Sequence, residues 1–354
     1  MQRTHDAPLQ DMNLIRPDDW HLHLRDGAAL ATTVAASARI FRRAVVMPNL
    51  NPPVVMVKQA LEYRRRILAA LPAGETFEPL MTLYLTEEMS PEEIRKAKNA
   101  GLIGIKLYPA GATTHSDAGV QSLKAVYPLL ETMQEVDLPL LIHGEVVDPE
   151  VDVFDREVVF IERELHPIVR HFPNLRVVLE HITTSDGVDF VREAGPKVAA
   201  TITAHHLLVN RNSMLVGGIR PDYYCLPVLK REKDRQSLLN AATSGDTSFF
   251  LGTDSAPHPR TAKYAACGCA GMYTAPHALE LYAEAFDSVG HLDRLEAFAS
   301  LNGPGFYGLP INTEQVSLQR QQVEIDHHEP FGQDVVTPFR AGGTTEWKVI
   351  RIGK

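Results

Sequence analysis

Several short apolar runs in this chain stop at a residue that can bind a metal or carry charge. The first reads Trp20-His21-Leu22-His23-Leu24-Arg25-Asp26. Alternate side chains of a strand share a face, so His21, His23 and Arg25 project one way and Leu22 and Leu24 the other. Lys106 follows GLIGI, His143 follows LPLLI, His181 follows VVLE and Asp254 follows FFLGT. Four imidazoles and a carboxylate brought to one surface form a ligand set for a borderline divalent metal, zinc above all. Each residue has an ordinary alternative. A histidine at a strand end can be a hydrogen-bonded structural group, Asp254 can cap a following helix, and Lys106 can run its stem along a surface. Those alternatives must hold separately on five strands, whereas one metal site accounts for all of them.

The elements that must position these residues alternate in type. Eight strand-like runs, Trp20–Leu24, Ala44–Met47, Leu80–Leu85, Ile103–Leu107, Pro139–His143, Arg176–His181, Val198–Thr203 and Phe249–Asp254, are separated by helical stretches. The helical stretches include Pro91–Ala100, Ser122–Val136, Phe154–Arg170, Ser185–Glu193 and Lys233–Ala242, and Ser90 before Pro91 reads as an N-cap ahead of a first-turn proline. Strands alternating with helices imply a parallel sheet, and eight such units fit an α/β (β/α)8 TIM barrel whose strand ends converge on one face. A doubly wound open sheet is the alternative. The expected division is an N-terminal tail over 1–13, a barrel over 14–309 and a C-terminal extension over 310–354 packed on it. The extension carries β-like runs at Val335–Phe339 and Trp347–Ile352.

Composition narrows the class of function. The chain has 354 residues, 44% hydrophobic and 22% charged, and a formal charge of −9. That balance excludes a disordered chain and a global basic surface for nucleic acid or anionic membrane. Three cysteines, Cys225, Cys267 and Cys269, are too few for a disulfide framework, and the expected location is a reducing cytoplasm. No apolar run reaches the roughly 20 residues of a membrane helix, and the first residues lack a signal-peptide core.

Other motifs weigh less. Cys267-Gly-Cys269 reads as a glycine-rich loop, and the pairs His205-His206 and His327-His328 as non-ligands, since adjacent side chains diverge in a strand. Arg64-Arg65-Arg66 reads as a solvated helix face, and Gly217-Gly218 as a tight loop. Neither a dinucleotide fingerprint nor a Walker A pattern occurs.

The order HxH, Lys, His, His, Asp on successive strands resembles the amidohydrolase superfamily. DDWHLHLRDG, VVMPNLNPPV, KLYPAGATTH, LLIHGEV, LEHITT, MLVGGIRP, YCLPVLKR, FLGTDSAPH, CGCAGMYTAP and NGPGFYGLP narrow the resemblance to the dihydroorotase family in its shorter class II bacterial form, from about Asp18 to Leu309. The resemblance implies reversible closure of N-carbamoyl-L-aspartate to L-dihydroorotate plus water, a step of pyrimidine biosynthesis. It implies two zinc ions, one held by His21, His23, Lys106 and Asp254 and the other by Lys106, His143 and His181, with Lys106 carboxylated to bridge them. A bridging hydroxide is then the nucleophile and Asp254 the general acid/base. Arg25, Asn49 and His258 receive the substrate carboxylate, backbone groups of Leu226 and Ala270 read the ring edge, and Ala110–Thr114 forms a mobile lid presenting Thr113 and Thr114. The implied oligomer is a homodimer. The competing readings are a hydantoinase- or allantoinase-type hydrolase, a Schiff-base aldolase using Lys106, and a catalytically silent scaffold.

Overall fold

The computed structural model describes residues 11–353. The strands run in chain order as β1 (Asp11–Ile15), β2 (Asp19–Leu22), β3 (Arg43–Val46), β4 (Glu78–Tyr84), β5 (Gly104–Leu107), β6 (Leu140–His143), β7 (Val177–Glu180), β8 (Val198–Ile202) and β9 (Phe249–Leu251). β10 (Gln315–Glu324), β11 (Glu329–Phe331), β12 (Asp334–Val336) and β13 (Thr344–Gly353) follow. β2 to β9 form one eight-stranded sheet in sequential order, with every pair parallel. The first and last strands then meet: the Asp254 N–H donates to the His21 carbonyl at 2.9 Å and the His23 N–H to the Ser255 carbonyl at 3.1 Å. This is the (β/α)8 barrel. Its strands are continuous apolar runs because helices cover one face and the barrel interior the other. Ser90 does cap its helix, accepting from the Glu93 N–H at 3.2 Å.

The lower interior is a dry layer of Trp20, Val45, Met47, Leu141, Val178, Ala199 and Phe250. Tyr307 closes it from below, stacked on Trp20 with ring centroids 4.6 Å apart. Gly303 makes that approach possible, since a Cβ there would lie 2.0 Å from Trp20 Nε1. Trp20 is on the wrong parity for a regular strand that also points His21 and His23 inward. The ladder explains this: Asp19 pairs with Ala44 but Leu22 pairs with Val46, so β2 carries one extra residue. The bulge lets Trp20 fill the floor while the two histidines face the upper interior.

Outside the barrel, β10 pairs antiparallel with β1 and β13. The boundary expected at 13/14 therefore falls inside a strand, because Asp11–Ile15 finds its partner near the other end of the chain. Trp347–Ile352 lies within β13, and the run from Val335 begins in β12, which pairs with β11. β10 was absent from the expected elements. Its sequence QVSLQRQQVE is largely polar, and Val316 and Leu318 are its buried apolar residues. No helix among the described residues is long and apolar enough to cross a membrane.

Candidate metal centre and substrate cavity

The upper interior brings the predicted ligands together. His21 Nε2, His23 Nε2 and Asp254 Oδ1 converge: the two nitrogens are 3.2 Å apart and lie 3.4 and 3.1 Å from the carboxylate oxygen. His181 packs edge-on to both His21 and His143, with centroids 4.9 and 4.8 Å away. His181 and Asp254 reach this position through left-handed backbone, φ 43° and 44°, a conformation that costs a non-glycine residue about 1–3 kcal/mol and clusters at functional sites. Gly252 lets β9 lie this close, since a Cβ there would sit 2.7 Å from Thr201 Cβ and 3.1 Å from His21 Cβ.

Three of the four histidines are oriented by a partner behind them. His21 Nδ1 bonds the buried Glu180 carboxylate, and His143 Nε2 bonds Glu145 Oε2 at 2.9 Å. An ionised carboxylate only accepts, so these nitrogens carry the protons and the opposite nitrogens offer lone pairs inward. His23 Nδ1 lies 2.8 Å from Asn49 Oδ1, and Asn49 Nδ2 donates to the Thr114 carbonyl at 3.2 Å, which sets the amide's orientation. Burial pushes His23 down to about 3, against the pull of Asp254. Burial alone would raise Asp254, but its histidine neighbours outweigh it and hold the carboxyl well below its usual range.

Lys106 is fully buried, and its Nζ has no hydrogen-bond partner. Its ammonium faces the Tyr108 ring, 5.1 Å from the centroid. Burial lowers it to about 8, opposed by Glu180 and Asp254. His181 Nδ1 is likewise buried and unpartnered. Inward lone pairs and an ionised carboxylate in a buried site are what a bound cation would satisfy, and Lys106, orphaned beside them, would join the set only once it has lost its positive charge, so the residues fit a metal centre.

Above these residues lies a cavity lined by His21, His23, Arg25, Asn49, Tyr108, Thr113, Thr114, His143, His181, Leu226, Asp254 and Ala270. Of the predicted residues, Lys106 lies beneath it rather than on its wall, and His258 joins it through Arg25, whose Nη2 donates to His258 Nε2 at 2.8 Å. Arg25 Nε is held by the Pro257 carbonyl at 2.9 Å. Burial and the adjacent guanidinium hold His258 well below its usual value, so it is a neutral acceptor. Thr114 Oγ1 reaches the Ala270 carbonyl at 3.4 Å, whereas Ser116 Oγ bridges the Thr113 backbone.

Glu180, Glu145 and Tyr108 were missed from sequence. Glu180 immediately precedes His181 and Glu145 follows His143 by two, so the available signal is a carboxylate within two residues of each of these two histidines. His205 and His206 sit on a helical turn, not a strand, and with Cys225 form a second buried group whose ligand atoms lie within 4.8 Å of one another. His206 is already engaged by Thr203 Oγ1 and the Pro227 carbonyl, and Cys225 by the same carbonyl.

Residues 14–319 match the model of the amidohydrolase family; the chain belongs to this family. Within it, the chain is 62% identical over 340 residues to a dihydroorotase of Cupriavidus taiwanensis, covering 96% of this chain and 99% of that one. Two solved structures superpose with a TM-score of 0.89: a dihydroorotase of Campylobacter jejuni at 35% identity, covering 98% of this chain and 99% of the other, and one of Saccharomyces cerevisiae bound to 5-fluoroorotic acid at 32% identity, covering 97% and 99%. The likeness extends over almost the whole length and places the chain with the dihydroorotases.

Proposed function

We propose that this site interconverts N-carbamoyl-L-aspartate and L-dihydroorotate plus water, a step of pyrimidine biosynthesis. The observation that carries the reading is one cavity with a metal-type ligand cluster at its base and, on its wall, Arg25 braced by His258. One zinc would be held by His21, His23, Asp254 and a carboxylated Lys106, and a second by the same modified lysine with His143 and His181. Bound metal would lower the pKa of water from 15.7 toward about 7 and polarise the amide carbonyl. The remaining work belongs to the chain. A burial-weakened Lys106 presents more neutral amine, the form that adds carbon dioxide. Asp254, held ionised, takes the proton of the attacking water and delivers it to the departing ring nitrogen, and reverses these roles in ring closure. Arg25 supplies a planar fork suited to the substrate carboxylate. Asn49 spends its oxygen on His23 and one N–H on Thr114, leaving one N–H for the ligand. Backbone groups of Leu226 and Ala270 read the ring edge, and Thr113 and Thr114 close above. The ring carboxylate of 5-fluoroorotic acid in the yeast relative supports a site built around an anionic ring.

The test is an absorbance assay for dihydroorotate turnover run beside metal counting. We expect turnover and two metal ions per chain; a fully metal-free protein with full activity would refute the reading. We also propose a cytoplasmic homodimer, which sedimentation and fractionation test.

A further inference from the structure

We infer that Lys263 is a positioning residue for substrate binding, tying together the two backbone segments that carry Leu226 and Ala270; this rests on the function proposed above. Lys263 lies on a short helical turn, Arg260–Lys263, after His258, in a stretch that shows no motif of its own. The residue is 6% exposed, and its ammonium donates to the Tyr224 carbonyl at 2.8 Å and the Gly271 carbonyl at 2.7 Å. Tyr224 precedes Leu226 by two residues and Gly271 follows Ala270 directly, so one cation pins both walls of the cavity.

The surrounding backbone is built for this cross-link. Gly271 N–H donates to the same Tyr224 carbonyl at 2.9 Å, and Cys269 N–H to the Ala262 carbonyl at 3.2 Å. A Cβ on Gly271 would lie 2.3 Å from the Ala256 carbonyl, and one on Gly268 2.7 Å from the Lys263 carbonyl. Gly268 thus serves close packing on Lys263, and Gly271 close packing on Ala256. The Ala270 carbonyl is also where the Thr114 hydroxyl rests, so the clamp holds the surface onto which the lid closes. Lys263 does not line the cavity, and its effect passes through Leu226 and Ala270.

The experiment is steady-state kinetics in both directions on metal-loaded Lys263→Met, which keeps the stem and removes the donors. Losing charged hydrogen bonds that orient two substrate-reading segments should raise KM for both substrates by about tenfold or more, with kcat changed less than about threefold and metal content unchanged. An unchanged KM in Lys263→Met, or loss of kcat and metal together at constant KM, overturns the inference. Should Lys263→Met not fold, Lys263→Gln is used: its shorter arm cannot satisfy both carbonyls, and a wild-type KM there overturns the inference equally. The wild-type control separates the two claims. Absence of dihydroorotate turnover in wild type refutes the function and this inference with it, whereas wild-type turnover with unaltered variant KM refutes the role of Lys263 alone.

Discussion

The backbone N–H of Asp254 donates to the carbonyl oxygen of His21 at 2.9 Å, so the bond that closes the barrel also brings its first and last metal-type side chains together. Closure and site assembly are therefore one event. Any change that parts β2 from β9 should cost activity in proportion to geometry, while damage at the barrel floor should cost stability first.

Two glycines test that distinction. Gly252→Ala places a Cβ 2.7 Å from Thr201 Cβ, beside the closing bond. Gly303→Ala places one 2.0 Å from Trp20 Nε1, at the floor. Both should destabilise the fold by about 1–3 kcal/mol through overpacking, read as a lowered denaturation midpoint. Below that midpoint Gly303→Ala should keep its turnover number and Gly252→Ala should lose most of it. Equal activity loss in both would break the link between closure and site geometry.

The carboxylates behind the histidines should matter nearly as much as the histidines. Glu180→Ala frees His21 Nδ1, and Glu145→Ala frees His143 Nε2, so each imidazole loses its fixed tautomer and orientation. Metal affinity should fall by about 10–100-fold in each, measured by competition with a chromophoric chelator. Unchanged affinity would mean that these contacts are packing alone.

The strand ends and the converging residues were legible in the sequence because they are local: an apolar run, then a chemically capable side chain, repeated. What lay outside its reach depends on pairing across the ring. Glu180 serves a histidine 159 positions away, and nothing in its own neighbourhood says which imidazole it orients. The parity of Trp20 misleads for the same reason, since the bulge in β2 exists only in its pairing with β3. β10 is not legible because only two of its residues, Val316 and Leu318, are buried apolar ones; its central place in the sheet is set by β1 and β13, from opposite ends of the chain.

Metal removal should act on stability as well as on turnover. Without a cation, two histidine lone pairs and an ionised carboxylate stand 3.1–3.4 Å apart in a buried site. A ligand bound only by the folded state adds about 2.7 kcal/mol at 100 times its dissociation constant. Chelation should therefore abolish activity and lower Tm together, with both restored by added zinc. Loss of activity without any shift in Tm would argue that the ions are held too weakly to be resident.

Proton transfer and carboxylate binding should separate in kinetics. Asp254→Asn removes the proposed proton acceptor and should lower kcat by about 10²–10⁴-fold or more. Arg25→Met removes the fork that His258 and the Pro257 carbonyl hold in place, and should chiefly raise KM for both substrates. An Arg25→Met enzyme with wild-type KM would move the carboxylate site elsewhere.

Thr113 and Thr114 should differ, because the structure holds them differently. Thr114 is anchored on both sides, its carbonyl taking the Asn49 amide and its hydroxyl resting on the Ala270 carbonyl. Thr113 lines the cavity, and its backbone, not its hydroxyl, is tied down by Ser116. Its hydroxyl is thus the one available to a bound substrate. Interactions that strengthen as charge builds in a closed, dry site act on the transition state. Thr113→Val should therefore lower kcat by about tenfold or more, equivalent to about 1.4 kcal/mol, with KM, metal content and Tm nearly unchanged. Thr114→Val should weaken the resting contact with the Ala270 carbonyl, raising KM more than it lowers kcat. Steady-state kinetics of the two single variants decide the matter: identical profiles would mean that the segment acts only as a cover, and wild-type kinetics in both would remove it from the site altogether.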